Sequence, residues 1–168
     1  FTQLLIPNWK VRLTGFIASS IVLSLLSTLI LSIVNAVLLL IFLDSTLKNY
    51  LEFTMFLDVT IRVMIFAIVL TLLAIFLIRL TKKSMSSLIA IVLLLVITLS
   101  GILRGISSEL ENLMPLIGAK SFAFGRIEGT QTSQLYGFTL LVVEGVVFLV
   151  LIIVVEKIRM GRKNGKSI

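Results

Sequence analysis

Four long apolar runs dominate the sequence, and the segments between them carry most of its charge. The runs cover about residues 13–43, 56–80, 88–103 and 138–155. A membrane-spanning helix needs roughly 20 apolar residues, because the hydrocarbon core of a bilayer is about 30 Å thick. Strands are disfavoured, since an open sheet edge cannot face lipid. The pattern predicts an all-α, polytopic transmembrane helix bundle with about four spans in a single transmembrane domain.

The composition excludes an ordinary soluble domain. Hydrophobic residues make up 58% of the 168 positions and charged residues only 14%, and the mean hydropathy is +1.18. A water-soluble chain of this length cannot bury so much apolar surface in its core. The net charge of +7 is therefore expected to serve contact with membrane lipid, and we expect no nucleic acid partner.

The positions of the basic residues predict the orientation in the membrane. Ten of the fifteen Lys and Arg residues fall in three short segments on one predicted side. These are Lys10, Arg12, Arg79, Lys82, Lys83, Lys157, Arg159, Arg162, Lys163 and Lys166. Lys and Arg accumulate in short cytoplasmic loops. Both ends are thus predicted in the cytoplasm, residues 156–168 form a basic tail, and the protein is expected in the cell membrane.

The third connection, between the last two runs, predicts a short helix on the extracellular side. Its apolar residues recur at helical spacing and share one face: Ile106, Leu110, Leu113 and Ile117. Pro115 interrupts this pattern, because proline breaks the helical turn that contains it. We expect an amphipathic or re-entrant helical segment over 106–124.

Apart from Arg79, which is counted with the cytoplasmic turn at the end of its run, three charged residues fall inside the predicted spans. Glu144 lies about two turns into the last run, where an ionisable group costs roughly 2.5–3.5 kcal/mol unless it faces protein or water. It is interpreted as a substrate contact, a proton carrier or a helix-pairing residue, or else as a structural partner of a cation such as Arg104. Asp58 and Arg62 are four residues apart, so they are expected to form a structural ion pair. The translocation or gating candidates are Glu144, Arg62, Asp58 and Pro115.

Small and polar residues mark the faces where helices are predicted to pack. The first run carries Ser20, Ser24, Thr28 and Ser32 at four-residue spacing, and Gly101 and Gly105 form a GxxxG pattern at the end of the third. Such residues let helices approach closely in membranes. A polar translocation path is the alternative interpretation, and packing is favoured.

Catalytic chemistry has no visible basis in this chain. It contains no histidine and no cysteine, which removes the usual metal ligands and nucleophiles. In the segment GRKNGKS, residues 161–167, three residues separate the first glycine from Gly-Lys-Ser, whereas a phosphate-binding loop needs four. We expect no enzyme activity, no metal and no cofactor in this chain.

Two segments carry a resemblance to a known family. The stretch LLIPNWKVRLTGFIASS looks like the cytoplasmic turn that leads into the third span of type-2 ATP-binding-cassette (ABC) exporter permeases. The stretch SSELENLMPLIGAKSFAF, which contains Pro115, looks like their extracellular re-entrant helices. In order, the four runs resemble the last four of the six spans in such a permease subunit, so two N-terminal spans would be absent from this chain.

The resemblance implies a function and partners. Such subunits work as homo- or heterodimeric pairs and are driven by separate ATPase subunits, which bind ATP and Mg²⁺. It further implies contact with the ATPase at the two cytoplasmic turns: Pro7, Trp9, Lys10, Arg12, Arg79, Lys82 and Lys83. The apolar walls favour an amphipathic or hydrophobic cargo such as a peptide, a drug or a lipid-like molecule.

Two other functions remain open on the sequence. One alternative is that the chain is a non-transport membrane partner, such as an immunity protein or a sensor accessory protein. The other alternative is an ion-coupled carrier that uses Glu144 and Arg62.

Overall fold

The computed structural model describes residues 8–42, 53–100, 102–107, 114, 116–123 and 134–164. In these ranges every regular element is helical. The α-helices are α1 (Trp9–Phe42), α2 (Phe53–Thr81), α3 (Ser84–Ser100), α4 (Ile117–Phe122) and α5 (Gln134–Asn164), and a 3₁₀ helix covers Ile102–Gly105. The prediction of an all-α, polytopic helix bundle is confirmed.

Three of these helices are long and apolar enough to cross a membrane: Trp9–Phe42, Phe53–Thr81 and, within α5, Gln134–Met160. The chain is therefore a multi-pass membrane protein. The helix α3 is apolar but has only 17 residues, which corresponds to about 26 Å at the α-helical rise. That length is at the lower limit for a span, so the fourth crossing and the cytoplasmic position of both ends stay predictions.

The helix bounds differ from those of the apolar runs. The helix α1 begins at Trp9, ahead of the predicted 13–43, and α5 continues to Asn164, well beyond the predicted 138–155. Apolar content marks only the part of a helix that lies in hydrocarbon, whereas backbone hydrogen bonds continue the helix through polar residues. The helix α3 ends at Ser100, before the predicted residue 103, and a glycine follows in the sequence.

Contacts divide the chain into two compact units, Phe1–Thr71 and Leu72–Ile168, with the boundary inside α2. In the first unit, the most apolar stretch of α1 contains no buried residue. Lipid or a partner must therefore cover it in the membrane. The single-domain organisation stays a prediction.

The second unit contains the best-buried side chains. Its core includes Leu72, Leu73, Ile75, Leu116, Ala119, Leu141, Phe148 and Ile152. Phe76 of α2 stacks on Phe148 of α5, with ring centroids 6.4 Å apart. The short helix α4 packs along α5, and this arrangement positions the candidate site.

Candidate functional site

The helix α5 has one buried face along its length. Its buried residues recur every three or four positions: Gly137, Leu141, Gly145, Phe148, Ile152 and Glu156. This spacing forms a single stripe on an α-helix. The half-buried Glu144 lies beside Gly145, so both acidic residues of α5 are on or next to the face that packs against the rest of the unit.

Glu144 holds the start of α4. The backbone N–H of Leu116 donates a hydrogen bond to Oε2 of Glu144 across 3.0 Å. Leu116 is fully buried and has a φ of 68°, a left-handed conformation that costs a leucine roughly 1–2 kcal/mol. A buried N–H without an acceptor adds a further penalty. The carboxylate therefore stabilises the turn that leads into α4.

Two glycines allow α4 to lie directly against the backbone of α5. A Cβ atom added at Gly118 would come within 2.5 Å of the Gly137 carbonyl oxygen, and one added at Gly137 would collide with Oγ of Ser121. Beside them, the rings of Phe122 and Phe138 are 5.2 Å apart. The sequence indicated a turn at Gly118, which instead lies inside α4. It gave no sign of a contact between Gly118 and Gly137, because the two are distant in sequence and form no GxxxG pattern together.

The segment before α4 differs from the predicted amphipathic helix. Ile106 is exposed in a turn after the 3₁₀ helix, whereas Ile117 is the first residue of α4. The predicted face shared by these two residues is therefore wrong. A continuous helix cannot include the left-handed Leu116, and the preceding proline lacks an N–H. Leu110, Leu113 and Pro115 lie outside the described residues.

At the other end of α5, Glu156 contacts α2. Nη1 of Arg79 lies 3.4 Å from Oε2 of Glu156, and the Glu156 residue is only 8% exposed. Arg79 was predicted as an ATPase contact, and sequence reasoning assigned no role to Glu156. One feature of the sequence could have drawn attention to Glu156: it is the only acidic residue in the three predicted cytoplasmic segments.

The turn between α2 and α3 is held by its own hydrogen bonds. Lys82 has a φ of 60°, and its N–H donates to the Ile78 carbonyl oxygen at 3.0 Å. Oγ1 of Thr81 and Oγ of Ser87 are 2.8 Å apart. Lys82 and Lys83 remain exposed, so the turn presents two cations from a tightly bonded backbone.

The other predicted ATPase contacts lie at or just before the start of α1. The side chain of Asn8 accepts a hydrogen bond from the Lys10 N–H at 3.1 Å, which caps the helix start. Trp9 and Arg12 are half-buried and Lys10 is exposed. Pro7 lies outside the described residues.

The predicted ion pair in α2 is confirmed. Nη2 of Arg62 lies 2.6 Å from Oδ2 of Asp58, and Nε donates to Oδ1 across 3.0 Å. The two bonds make a bidentate pair. Its role in gating stays a prediction.

Part of the predicted packing ridge on α1 contacts α2. Oγ of Ser24 donates to the Ala67 carbonyl oxygen at 3.5 Å, while Thr28 bonds within α1 to the Ser24 carbonyl oxygen. Ser20 and Ser32 are half-buried. Gly105 lies beyond α3, and none of the described atoms comes within 4 Å of a Cβ added there. Gly101 and the side chain of Arg104 lie outside the description.

Across the described ranges, no three acidic side chains are close enough to hold a metal ion. Comparisons of this chain with models of protein families, with curated protein sequences and with solved structures find no match. The class that the fold defines is a multi-pass α-helical membrane protein.

Proposed function

We propose that this chain is a transmembrane permease subunit of an ABC exporter, which moves an amphipathic or hydrophobic cargo out of the cell. Separate ATPase subunits bind ATP and Mg²⁺ and supply the energy. The chain pairs with a second permease subunit, identical or different, in the cell membrane. The proposal rests on the resemblance in two segments and on one structural observation about α5.

That observation is that one continuous helix holds one contact in its N-terminal half and one in its C-terminal half. Glu144 binds the start of α4, and Glu156 pairs with Arg79 beside the α2–α3 turn. The twelve residues between the two carboxylates correspond to about 18 Å along the helix. A transporter driven from one side of the membrane needs a stiff connection of this kind, because a small movement of the turn must reach the other side.

The α2–α3 turn suits contact with an ATPase. Its backbone is fixed by the bonds of Thr81 and Ser87, so a push on the turn moves α2 and α3 instead of deforming the loop. Lys82 and Lys83 are exposed and complement an acidic surface on a partner.

Purification from native membranes tests this function. We expect an ABC ATPase to co-purify with the tagged chain in detergent and to hydrolyse ATP in the reconstituted complex. The double variant Lys82→Glu with Lys83→Glu should lower the recovered ATPase about tenfold, since two repulsive contacts cost on the order of 1.4 kcal/mol or more. Lys157→Glu, an exposed cation on α5, is the matched control and should leave recovery unchanged.

Two results would contradict the proposal. If the chain isolates without any ATPase, a non-transport membrane partner becomes the better interpretation. If reconstituted chain alone takes up substrate in response to a proton or sodium gradient, and Glu144→Gln abolishes that uptake, the ion-coupled carrier replaces it.

A further inference from the structure

A groove in the first unit runs between the C-terminal half of α1 and the N-terminal half of α2. It has a volume of about 530 Å³. Most of its lining is apolar, with Leu39, Val59 and Val63 among the side chains, and Ser32 and Asn35 contribute polar atoms. The groove lies on two helices that are long and apolar enough to cross a membrane, so lipid has access to it.

Thr28 of α1 lines this groove and donates to the Ser24 carbonyl oxygen, but other polar side chains of α1 there have no hydrogen-bond partner among the described residues. The side chains of Ser32 and Asn35 make no hydrogen bond to other described residues, whereas Thr60 on the opposite wall donates to the Phe56 carbonyl oxygen. An amide without a hydrogen-bond partner is costly in hydrocarbon. A purely apolar occupant would leave that cost uncompensated, so the occupant should carry polar groups as well as an apolar part.

The Asp58–Arg62 pair lies beside the groove, outside the residues that line it. The lining residues of α2 run from Met55 to Leu70, and at 100° per residue Arg62 lies about 20° and Asp58 about 60° outside their arc. Asp58 is four residues nearer the start of α2, which places it about 6 Å farther along the axis toward the polar end. Its side chain is 56% exposed against 21% for Arg62. The anion is therefore outermost and the cation lies one turn deeper.

This order of charges matches one class of lipid. In a phospholipid with an ammonium headgroup, the phosphate is attached next to the glycerol and acyl chains, and the ammonium lies beyond it. A phosphate beside Arg62 would place the ammonium near Asp58, and the acyl chain would extend past Val63 toward Leu70. We propose that this groove binds a phospholipid with an ammonium headgroup, such as phosphatidylethanolamine. The site does not depend on the transport function proposed above.

The groove is long enough to hold an acyl chain. The lining from Met55 to Leu70 extends about 22 Å along α2, compared with about 15 Å for the hydrocarbon of one leaflet. The volume of about 530 Å³ is within the range of small-molecule sites.

Photolabelling of the unaltered chain provides the first test. The purified protein is reconstituted in liposomes that contain a trace of phosphatidylethanolamine with a diazirine on its acyl chain, and the adducts are mapped by mass spectrometry. We expect labels on Leu31, Val63 and Leu70, which line the acyl part of the groove, at least fivefold above those on Ile30 and Ile33, which are exposed but outside the groove. Even labelling around α1 would overturn the proposal.

Competition between headgroups provides the second test. Unlabelled phosphatidylethanolamine should displace the probe about tenfold better than phosphatidylglycerol, which has the phosphate but no ammonium. The charge-swapped variant, Asp58→Arg with Arg62→Asp, keeps the net charge and an ion pair between residues four apart. Because it reverses the order of the anion and the cation along α2, this preference should disappear. Equal competition in the unaltered chain, or an unchanged preference in the swapped variant, would count against the site.

Filling the groove gives a matched pair of variants. Ser32→Leu should reduce groove labelling about fivefold, while Ser19→Leu makes the same change on an exposed position of α1 outside the lining and should have no effect. The chain has no cysteine, so Asn35→Cys introduces a single thiol. Its ability to form a disulfide with a second copy of the chain tests whether that copy lies in the groove. Efficient disulfide-linked dimers through that residue in liposomes would show that α1 of another chain occupies the groove instead.

Discussion

The backbone N–H of Leu116 is bonded to the carboxylate of Glu144, 28 residues later in the chain, at 3.0 Å. The bond joins the residue immediately before the short helix α4 to the helix α5, within a segment long and apolar enough to cross a membrane. It also gives Glu144 a protein partner at a depth where an isolated acidic group would be costly. Among the described residues, the partner of this acid is a backbone donor.

Two substitutions of Glu144 by side chains of similar size should show how much its hydrogen bond contributes to stability. Glu144→Leu removes the acceptor and leaves the buried N–H of Leu116 unpaired, which should cost about 1–3 kcal/mol. Glu144→Gln keeps an amide oxygen as acceptor and should cost clearly less. Thermal unfolding in detergent measures the difference, and hydrogen exchange at the Leu116 amide should accelerate only in the leucine variant. Equal stability of the two variants would mean that the bond does not hold α4.

The glycine contact between α4 and α5 predicts a second effect on stability. Gly118→Ala should destabilise the protein by about 1–3 kcal/mol, because its Cβ would approach the Gly137 carbonyl oxygen to 2.5 Å. Thermal unfolding is again the measurement. Gly15→Ala is the control, since nothing lies within 4 Å of its added Cβ, and a mid-helix alanine should stabilise α1 by up to about 1 kcal/mol.

A related variant tests which atom causes the clash. Gly137→Ala should destabilise through contact with Oγ of Ser121, and adding Ser121→Ala should restore part of the loss. A double variant that is no more stable than Gly137→Ala would assign the cost to the backbone of α4 instead.

The two ion pairs should differ in their contribution to stability. Arg79→Ala leaves Glu156, whose side chain is 11% exposed, without its cation, and we expect a loss of about 1–3 kcal/mol. Arg62→Ala opposite the 56% exposed Asp58 should cost only about 0.3–0.5 kcal/mol for the pair. A double-mutant cycle on each pair measures the coupling free energy. A larger coupling at Asp58–Arg62 would reverse this ranking.

Accessibility of single cysteines tests the predicted orientation. The chain lacks cysteine, so Lys83→Cys and Ile106→Cys each introduce one thiol at an exposed position. A membrane-impermeant maleimide added to intact cells should label the Ile106→Cys variant and should label Lys83→Cys only after the membrane is opened. The opposite pattern would invert the topology. Labelling of both positions from the same side would show that α3 does not cross the membrane.

Much of the secondary structure could be predicted from the sequence, because its causes are local. A backbone in hydrocarbon must satisfy its own hydrogen bonds, so each long apolar run became a helix. The pair of Asp58 and Arg62 was also predictable, since residues four apart on a helix are neighbours whatever the rest of the chain does. The helix ends were less accurate, because apolar content locates lipid contact instead of the last helical hydrogen bond.

Tertiary structure decided the partners of the acidic residues on α5. The partner of Glu144 is a backbone N–H that every residue except proline carries, so residue types could not reveal it. Arg79 and Glu156 are 77 positions apart, and no periodicity relates them. The left-handed Leu116 is likewise tolerated only because the surrounding packing and the carboxylate compensate for it. Lipid and the helical repeat act on each segment separately, whereas these contacts exist only after the segments have packed together.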